Sequence, residues 1–480
     1  MPCVRNLSVS HALQYFDDDV KKKQIKGLDY YSQEDSGIWF GNIAEKFGFT
    51  NKKFTRNDYH QVMKGKFSYF DKDLGKTVDI DLTKKSKNGE HHAGIELTLS
   101  APKTVSIVAE VFKDNRVRDA HSNAVRRVVE YIQDNMCYTR TSQSGKMALE
   151  KVNNLLAVKF THHTNRNHDP QLHDHILITN ISVDKNGKIK TAEHSTIFEN
   201  ERFIRELYNN ELAHNLQILG YDIEWNKKVT QVSPEIKNIP EPLTRMFSSR
   251  RQEIEKLATD RDIDLSDQVA MQNITLETRK AKDNSIDLDK LSILWKEKVS
   301  ELNINIEQIK KELFAKNLEN QNKTQLYDYN LLTEFANNSI NHLTERNAAF
   351  TKEDLISNVI LRSGGLFGID EIEKAMSTNN ELVSNEVKMK EYSKHLRIYN
   401  DRGKSIYTTK SQIATENRII SAINKGANKF AAIYSKEEIN NFSSQQKSID
   451  KDLNKLLFGD IVDDKGSNLY STLNDSQKHT

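Results

Sequence analysis

The sequence predicts an α+β fold in which an antiparallel sheet carries helices on its outer face. Two apolar segments, residues 155–160 and 176–178, are separated by turn-forming residues at 167–170, a pattern typical of paired antiparallel strands. Apolar side chains also recur at helical spacing in residues 116–136 and 203–219. Strands joined by a short turn, together with separate amphipathic helices, favour the α+β class.

Composition predicts a globular chain of several domains. The chain has 480 residues, of which 36% are hydrophobic and 29% charged, and its net charge is +2. This length predicts roughly two to four domains. The near-neutral charge excludes a global basic signature, so any contact with nucleic acid must come from local patches. The two cysteines, Cys3 and Cys137, argue against a disulfide framework. We find no signal peptide and no apolar run near the ~20 residues of a membrane span, so we expect a cytoplasmic protein.

The N-terminal region contains an unusual group of tyrosines. We expect a helix that begins near Ser10 and carries Tyr15. A charged run at residues 17–26 separates this helix from the adjacent pair Tyr30 and Tyr31. Interface packing is the common explanation for such residues, because tyrosine buries a large area and keeps a polar tip. Packing and a chemical role both stay open at this point.

A predicted strand at residues 94–100 places Glu96 and Thr98 on one face. A carboxylate in the middle of a strand is a candidate for catalysis or for supporting a catalytic group, although most such residues are merely solvated. A helix follows, with Pro102 in its first turn. Lys103 lies near the N-terminus of that helix, against the preference set by the helix dipole. A bound anion would explain this lysine, which makes Lys103 a candidate DNA contact.

Residues 161–180 hold the densest group of histidines in the chain. His173 and His175 lie two positions apart, so on a strand both imidazoles project from one face and Asp174 from the other. A hairpin could bring His162, at the end of the preceding strand, beside this pair. Three neutral imidazoles suit a borderline divalent metal and leave coordination positions open for a substrate. A polar strand surface is the alternative for two histidines on one face, and the third histidine favours the metal site.

The C-terminal part is predicted to form a separate unit. Three helices are expected at residues 331–344, 351–361 and 370–376, and a hairpin follows with its turn at residues 401–404. This order resembles a winged helix, a fold often used on nucleic acid. The predicted divisions of the chain are residues 1–300, a linker at 301–328, a winged-helix-like segment at 329–412, and a remaining segment at 413–480.

One apparent phosphate-binding motif is excluded. Gly403, Lys404 and Ser405 look like the end of a phosphate-binding loop, but the position that needs the earlier glycine holds Ile398. The segment also lies in a predicted hairpin turn instead of between a strand and a helix. We therefore expect no nucleotide site.

The tyrosines, the segment around Glu96 and the histidine strand together resemble the MobF-class conjugative relaxases of the TrwC/TraI type, which belong to the HUH endonuclease superfamily. The resemblance covers about residues 1–300. Residues 341–355 and 407–420 resemble the region that follows the relaxase domain in that family, so residues 413–480 are expected to start a helicase-like region or to form a poorly ordered tail. The stretches that carry the relaxase resemblance are LQYF (13–16), DYY (29–31), GIELTLSAPKTVS (94–106), KFTHHTNRNHDPQLHDH (159–175) and YNNELAHNLQILGY (208–221).

The resemblance implies a palm-like HUH relaxase fold and a nickase that acts on one strand at a plasmid origin of transfer. A tyrosine hydroxyl attacks a phosphodiester and leaves a 5′-phosphotyrosine and a free 3′-OH, which initiates and later terminates conjugative transfer. The implied cofactor is a divalent metal ion (Mg, Mn or Zn). The implied partners are single-stranded or hairpin origin DNA, relaxosome accessory proteins and a type IV secretion coupling protein.

The resemblance also assigns roles to individual histidines. His162, His173 and His175 match the metal ligands of the family motif. His163 and His168 are additional histidines to which the motif assigns no role.

Roles for the tyrosines and for the strand carboxylate follow from the same motifs. Tyr15 matches the first catalytic tyrosine, Tyr30 the second, and Tyr31 the partner of the second. Phe16 stands where the family often has a further tyrosine, and Glu96 where it usually has Asp. Glu96 could accept the tyrosine proton or could orient a metal-binding histidine, and both roles stay open.

Two other functions stay open as well. A metal-dependent hydrolase that activates water would use the same three histidines but would not need Tyr15 or Tyr30. A binding protein that recognises single-stranded or hairpin DNA without cutting it is consistent with the hydroxyl missing at Phe16.

Overall fold

A computed structural model of the chain describes residues 4–14, 37–50, 54–71, 75–83, 92–143, 146–228, 231–278, 288–324, 329–393 and 398–426. The strands are β1 Val4–Leu7, β2 Ile38–Phe40, β3 Lys66–Asp71, β4 Lys76–Asp81, β5 Gly94–Ser100, β6 Tyr138–Gln143, β7 Lys146–Lys151, β8 Ala157–Thr164, β9 Pro170–Thr179, β10 Ser182–Val183, β11 Ile189–Lys190, β12 Ala192–Glu193, β13 Ile223–Lys228, β14 Gln231–Ile236, β15 Phe350–Thr351, β16 Leu382–Ser393 and β17 Ile398–Thr409. The helices are α1 over residues 9–14, α2 Asn42–Lys46, α3 Arg56–Met63, α4 Lys103–Glu110, α5 Asn115–Asn135, α6 Ser195–Glu199, α7 Glu201–Ile218, α8 Glu241–Met246, α9 Ser249–Asp260, α10 Gln268–Glu277, α11 Leu288–Glu301, α12 Ile306–Thr324, α13 Tyr329–Thr344, α14 Lys352–Ser363, α15 Ile369–Ser377 and α16 Lys410–Gly426.

The central sheet contains five strands in the order β1-β5-β9-β8-β2, and every neighbouring pair is antiparallel. The middle strand β9 pairs with β5 from Thr179 to His173 and with β8 from Ile178 to His173. The predicted hairpin around residues 167–170 is therefore present, and the mixed helix and antiparallel sheet class is confirmed. Smaller sheets pair β3 with β4, β10 with β11 and β13 with β14, and two three-stranded sheets have the orders β12-β6-β7 and β15-β17-β16.

Both faces of the central sheet are covered. On one face, Ile176 and Ile178 of β9 belong to a large buried cluster that includes residues of α4, α5 and α7. On the other face, Leu177 and Phe160 belong to a second cluster that includes residues of α2 and α3. We call these the helical face and the N-terminal face. The sequence predicted helices on one outer face of the sheet only. The packing of α2 and α3 against the N-terminal face was therefore not predicted.

Local sequence signals explain the two long helices on the helical face. Helix α5 begins after Asp114, whose carboxylate accepts from the backbone N–H of Arg116 at 3.0 Å and so caps the helix. Helix α7 is followed by Gly220, whose φ of 87° is readily available only to glycine. Both helices were predicted, and their bounds agree with the prediction to within a few residues.

One local prediction was wrong. The first-turn cap of α1 is Ser8, whose hydroxyl accepts from the backbone N–H of His11 at 3.2 Å, and not Ser10. Nearby, the edge strand β2 and the short helix α2 are separated at Gly41, where φ is 89°. The described residues of 233–300 are mostly helical, in α8 to α11, although this stretch begins inside the β13–β14 hairpin.

The elements from α13 to β17 have the predicted order, but the hairpin is longer than predicted. Helix α14 starts with a reciprocal capping box between Thr351 and Asp354. Strands β16 and β17 pair over their full length, with Lys388 opposite Gly403. Residues 401–404, which were predicted to form the turn, therefore lie inside β17. The prediction missed β16 because this charged strand lacks the apolar run that marks a strand in sequence. The GKS segment is in a strand, which agrees with the exclusion of a phosphate-binding loop.

The chain divides into two compact units, Met1–Lys410 and Ser411–Thr480. The first unit includes the predicted linker at 301–328, where α12 buries Leu313 in the large cluster of the helical face. The division into functional domains near residues 300 and 329 stays a prediction. Among the helices of the described residues, none is long and apolar enough to cross a membrane.

Candidate metal centre

Three imidazoles meet on the N-terminal face of the β8–β9 hairpin. His162 of β8 lies directly opposite His173 of β9, and His175 follows two residues along the same strand. One ring nitrogen of each lies within 4.8 Å of one in each of the other two. The ring centroids are 4.9 to 5.2 Å apart. The structure thus brings together the three histidines that the sequence proposed.

Hydrogen bonds fix which nitrogen is basic in two of these rings. His173 Nδ1 lies 2.9 Å from the backbone carbonyl of Gln171, and His175 Nδ1 lies 2.6 Å from Oε1 of Glu96. A carbonyl and a carboxylate can only accept, so in both rings Nδ1 carries the hydrogen and Nε2 is the basic nitrogen. Both rings are therefore in the tautomer that binds a metal through Nε2.

The electrostatics of the site suit a cation. Burial, and secondarily the neighbouring His175, lower the pKa of His173 from 6.5 to about 3. This imidazole is consequently neutral at physiological pH and keeps the lone pair that a metal ligand needs. A set of imidazole nitrogen donors at this spacing fits a divalent transition metal, with further coordination positions open to a substrate.

Glu96 lies beneath the histidines and is fully buried. Thr98, two residues along β5, lies opposite His175 in the strand register, and its hydroxyl is 3.2 Å from His175 Nδ1. The second carboxylate oxygen of Glu96 pairs with Arg5 of β1 at 2.5 Å. The sequence singled out Glu96 but missed Arg5, because no local pattern connects positions so distant in the chain. The role of Glu96 as base or orienter stays a prediction here.

The helical face of the same hairpin carries a buried charged group. Asp174 projects to this face, as predicted, and lies 3.5 Å from Nζ of Lys159 and 3.6 Å from Nε2 of His121. His121 Nδ1 is also 2.8 Å from the hydroxyl of Tyr208. Burial would raise the pKa of Asp174, but His121 and Lys159 outweigh it and hold this pKa well below its usual value. The sequence did not predict that Lys159 and His121 would lie beside Asp174. The one sequence signal for this group was a lysine within an otherwise apolar strand.

The two additional histidines take other places. His163 projects to the helical face, where its Nδ1 is 2.9 Å from Glu110, a carboxylate that also binds Arg118 through two hydrogen bonds. His168 lies in the β8–β9 turn with a φ of 62°, and its backbone carbonyl accepts from the indole N–H of Trp295 at 2.8 Å. Neither position belongs to the group of three imidazoles.

The anomaly at Lys103 has an explanation within the chain. Glu235 of β14 accepts hydrogen bonds from the backbone N–H and the hydroxyl of Thr104, so an internal carboxylate occupies the N-terminus of α4. The ammonium of Lys103 donates to the carbonyl of Pro170 at 2.8 Å. Burial lowers the pKa of Lys103 to about 8, although Asp169 and Glu235 oppose this shift. The proposed DNA contact of Lys103 stays a prediction.

The predicted catalytic tyrosines lie outside the described residues. This applies to Tyr15, Tyr30 and Tyr31, and also to Phe16. Their assigned roles stay predictions that follow from the sequence motif.

Three imidazoles on the central antiparallel sheet, with a buried carboxylate beside them, form a candidate metal site of the kind that metal-dependent enzymes use. The family model described as TrwC relaxase matches residues 9–302, which is more than half of the chain. The chain therefore belongs to the TrwC relaxase family, and the resemblance to MobF-class conjugative relaxases is confirmed.

Curated relatives include the multifunctional conjugation protein TraI of Escherichia coli, which is 28% identical over 297 residues. TraI of Escherichia coli strain K12 is 28% identical over 273 residues. These matches cover 58% and 53% of this chain but only 16% and 14% of the two relatives. The chain thus corresponds to a small part of the length of these proteins.

Similar solved structures come from the conjugative relaxase TrwC. Its complex with oriT DNA in a metal-bound form is 28% identical with a TM-score of 0.54, and a copper-bound form is 26% identical with a TM-score of 0.55. Its complex with a 27-mer DNA that comprises the recognition hairpin and the cleavage site is 27% identical with a TM-score of 0.52. Each match covers 64% of this chain and 100% of the other.

Proposed function

We propose that this chain is a site- and strand-specific DNA transesterase that nicks a plasmid origin of transfer. In that role it initiates and terminates conjugative DNA transfer. The observation that carries the proposal is the group of His162, His173 and His175, whose ligand atoms lie within 4.8 Å in a chain of the TrwC relaxase family. The TrwC structures that contain oriT DNA and a bound metal support the same assignment.

The nucleophile in this proposal is the hydroxyl of Tyr15. Its oxygen forms a bond to the phosphorus of the scissile phosphodiester, and the bond from phosphorus to the 3′ oxygen of the preceding nucleotide breaks. The phenol loses its proton, and the departing 3′ oxygen takes one up as a 3′-OH. The phosphodiester energy is retained in the tyrosine ester, so a later transfer can rejoin the ends. Tyr30, with Tyr31 as its neighbour, would supply the second hydroxyl, because Tyr15 is esterified at that time.

The three histidines would hold a divalent metal through their basic nitrogens. When bound, the metal supplies positive charge against the negative charge that develops on the oxygens of the scissile phosphate. Imidazole donors suit Zn²⁺ or Mn²⁺ better than Mg²⁺, which prefers oxygen ligands. We therefore rank Mn²⁺ and Zn²⁺ above Mg²⁺ for this chain.

We also propose that residues 329–412 form a winged-helix segment that binds DNA. Three helices, α13, α14 and α15, precede the β16–β17 hairpin, and the short strand β15 pairs with β17, which is the order of elements in that fold. The sequences of the two strands β16 and β17 include four basic residues that are candidates for binding phosphates, Lys388, Lys390, Arg402 and Lys404. Replacing Lys388 and Lys404 with Gln should lower the salt slope of DNA binding by about 1 for each phosphate that is no longer neutralised. An unchanged slope would contradict the proposal.

Other parts of the functional assignment follow from the DNA substrate. We place the reaction in the cytoplasm, where plasmid DNA is, with single-stranded or hairpin origin DNA as the substrate. Relaxosome accessory proteins and a type IV secretion coupling protein are the proposed partners. The relaxase function is assigned to residues 1–300, with 301–328 as a connection and 413–480 as the start of a helicase-like region or a poorly ordered tail.

The test is incubation with a single-stranded origin oligonucleotide and Mn²⁺, followed by mass spectrometry of a tryptic digest. We expect a nucleotide adduct on the peptide of residues 6–21, which contains Tyr15, and no adduct on this peptide in Tyr15→Phe. This change removes one oxygen and keeps the ring. An adduct only on the peptide of residues 27–46 would reverse the roles of Tyr15 and Tyr30.

The same experiment separates the other candidate functions. Product with a free 5′-phosphate and no adduct would identify a hydrolase that uses water. Retention of the oligonucleotide without cleavage would identify a binding protein. Tyr30→Phe should leave the first nick intact and impair the second strand transfer.

A further inference from the structure

We infer that Arg5 is a positioning residue of the metal site and that it acts through Glu96. The inference rests on the proposed function, because it concerns how the histidines hold the metal. Arg5 on β1 lies directly opposite Glu96 on β5 in the strand register. Its Nε and one terminal guanidinium nitrogen both lie 2.5 Å from Oε2 of Glu96.

The carboxylate of Glu96 joins Arg5 to the metal site. Oε2 accepts from Arg5, while Oε1 accepts from Nδ1 of His175 at 2.6 Å and is 3.4 Å from the hydroxyl of Thr98. The two oxygens of a carboxylate are rigidly connected, so the bond to Arg5 determines the direction in which Oε1 points. Arg5, Glu96 and His175 consequently form one chain of charge-assisted hydrogen bonds.

This chain of hydrogen bonds determines how His175 presents its metal-binding nitrogen. A histidine that donates Nδ1–H to a fixed carboxylate has its tautomer and ring orientation set, and its Nε2 becomes a better ligand. Glu96 has one more rotatable bond than the Asp usual in the family, so by itself it would hold the ring less well. Arg5 supplies the second attachment that a longer side chain needs.

Charge supports the same conclusion. The side chain of Glu96 is fully buried, and a buried carboxylate is stable only with a compensating cation. Arg5 is 38% exposed, so the pair has one buried and one half-buried member. The guanidinium thus neutralises the carboxylate. It cannot itself bind the metal, because a guanidinium has only N–H donors and no lone pair to offer.

The chain contains a closely matched control pair away from the histidines. Arg140 of β6 binds Glu193 of β12 through Nε and a terminal nitrogen, at 3.0 and 2.6 Å, and again both bonds go to one oxygen. Arg140 is 42% exposed and Glu193 only 2% exposed. Arg140→Met therefore removes a similar ion pair from a different sheet and measures the general cost of such a loss.

The experiment titrates Co²⁺ into the full chain and records affinity and the visible absorption of the bound ion. We expect Arg5→Met to weaken Co²⁺ binding by about 10-fold or more and to change the absorption bands, as for other partners of metal-binding histidines. Arg5→Lys should recover part of the loss, since lysine keeps the charge but not the paired bonds. Arg140→Met should bind Co²⁺ as the unchanged chain does. Circular dichroism confirms folding of each variant.

A double-mutant cycle tests whether Arg5 acts through Glu96. In the Glu96→Gln background, Arg5→Met should produce little further loss of Co²⁺ affinity. Fully additive losses would overturn the inference. Equal losses in Arg5→Met and Arg140→Met would also overturn it, because they would show a general structural effect.

The remaining outcomes separate the inference from the proposed function. Unchanged Co²⁺ affinity and absorption in Arg5→Met would overturn the role of Arg5 and leave the metal site standing. The same result with weaker DNA binding and a salt slope lower by about 1 would identify Arg5 as a direct phosphate contact. If the unchanged chain binds no Co²⁺, the metal site itself is wrong, and the inference is overturned with it.

Discussion

Strand β9 presents two different chemical environments on its two faces, although their residues alternate along one short segment. On the N-terminal face, His173 and His175 meet His162 and form a group of imidazole nitrogen donors. On the helical face, Asp174 is fully buried and lies within 3.6 Å of both Lys159 and His121. The first arrangement is suited to an external cation, whereas the second is already neutralised within the chain. We therefore expect replacements on one face to affect metal binding and those on the other to affect stability.

The largest effect is expected for Asp174→Ala. The change leaves Lys159 as a buried charge without its carboxylate, and breaking a buried pair in this way typically costs about 3–5 kcal/mol. Urea unfolding of the metal-free chain measures this loss in the free energy of unfolding. The double variant Asp174→Ala, Lys159→Met should recover part of it. A stable Asp174→Ala variant that fails to bind metal would contradict the division between the faces.

His173→Ala is the matching change on the other face. It removes one of three ligands, and we expect metal-dependent cleavage to fall by more than about 100-fold, since loss of a partner of a metal ligand already costs about 10–100-fold. The free energy of unfolding without metal should change by less than about 1 kcal/mol. DNA affinity should stay nearly unchanged, because phosphate and base contacts supply it. Equal metal content in both proteins would refute the site.

The pH dependence of stability sharpens the comparison through Glu110 on the helical face. Burial would raise the pKa of this carboxyl, but His163 and Arg118 outweigh it and lower the pKa below the usual 4.5. A lowered pKa in the folded state means that the stabilisation is present above about pH 4.5 and is lost as the pH falls further. Glu110→Gln should therefore be less stable by about 1–2 kcal/mol at pH 7 and should approach the unchanged chain near pH 3. A constant difference across this range would argue against the ion pair.

The smallest effect is expected in the turn that connects the two strands. His168 has a φ of 62°, a conformation that asparagine adopts more easily than other residues with a Cβ atom. His168→Asn should change stability by less than about 0.5 kcal/mol and leave cleavage unchanged. His168→Ala should lose about 1 kcal/mol of stability and also leave cleavage unchanged. Reduced metal affinity in His168→Asn would extend the metal site into the turn.

Patterns within short segments determined the parts of this protein that could be predicted from sequence. The spacing of His173 and His175 required that both project to one face of a strand, and the turn residues before them placed His162 within reach. Helices α5 and α7 followed from apolar periodicity, and the start of α14 from the Thr351 capping box. These signals work because backbone geometry repeats every few residues, so nearby positions carry the information.

Contacts between distant segments were decided only by the tertiary structure. Arg5 meets Glu96 because β1 pairs with β5, and Glu235 caps α4 because the β13–β14 hairpin packs beside that helix. Lys159 and His121 surround Asp174 for the same reason. No local sequence pattern contains such pairings, because each depends on how whole strands and helices pack together. The packing free energy per residue is small, and it becomes decisive only when it is summed over the folded chain. The sequence by itself thus determined which histidines could bind a metal, and the tertiary structure decided which charges support them.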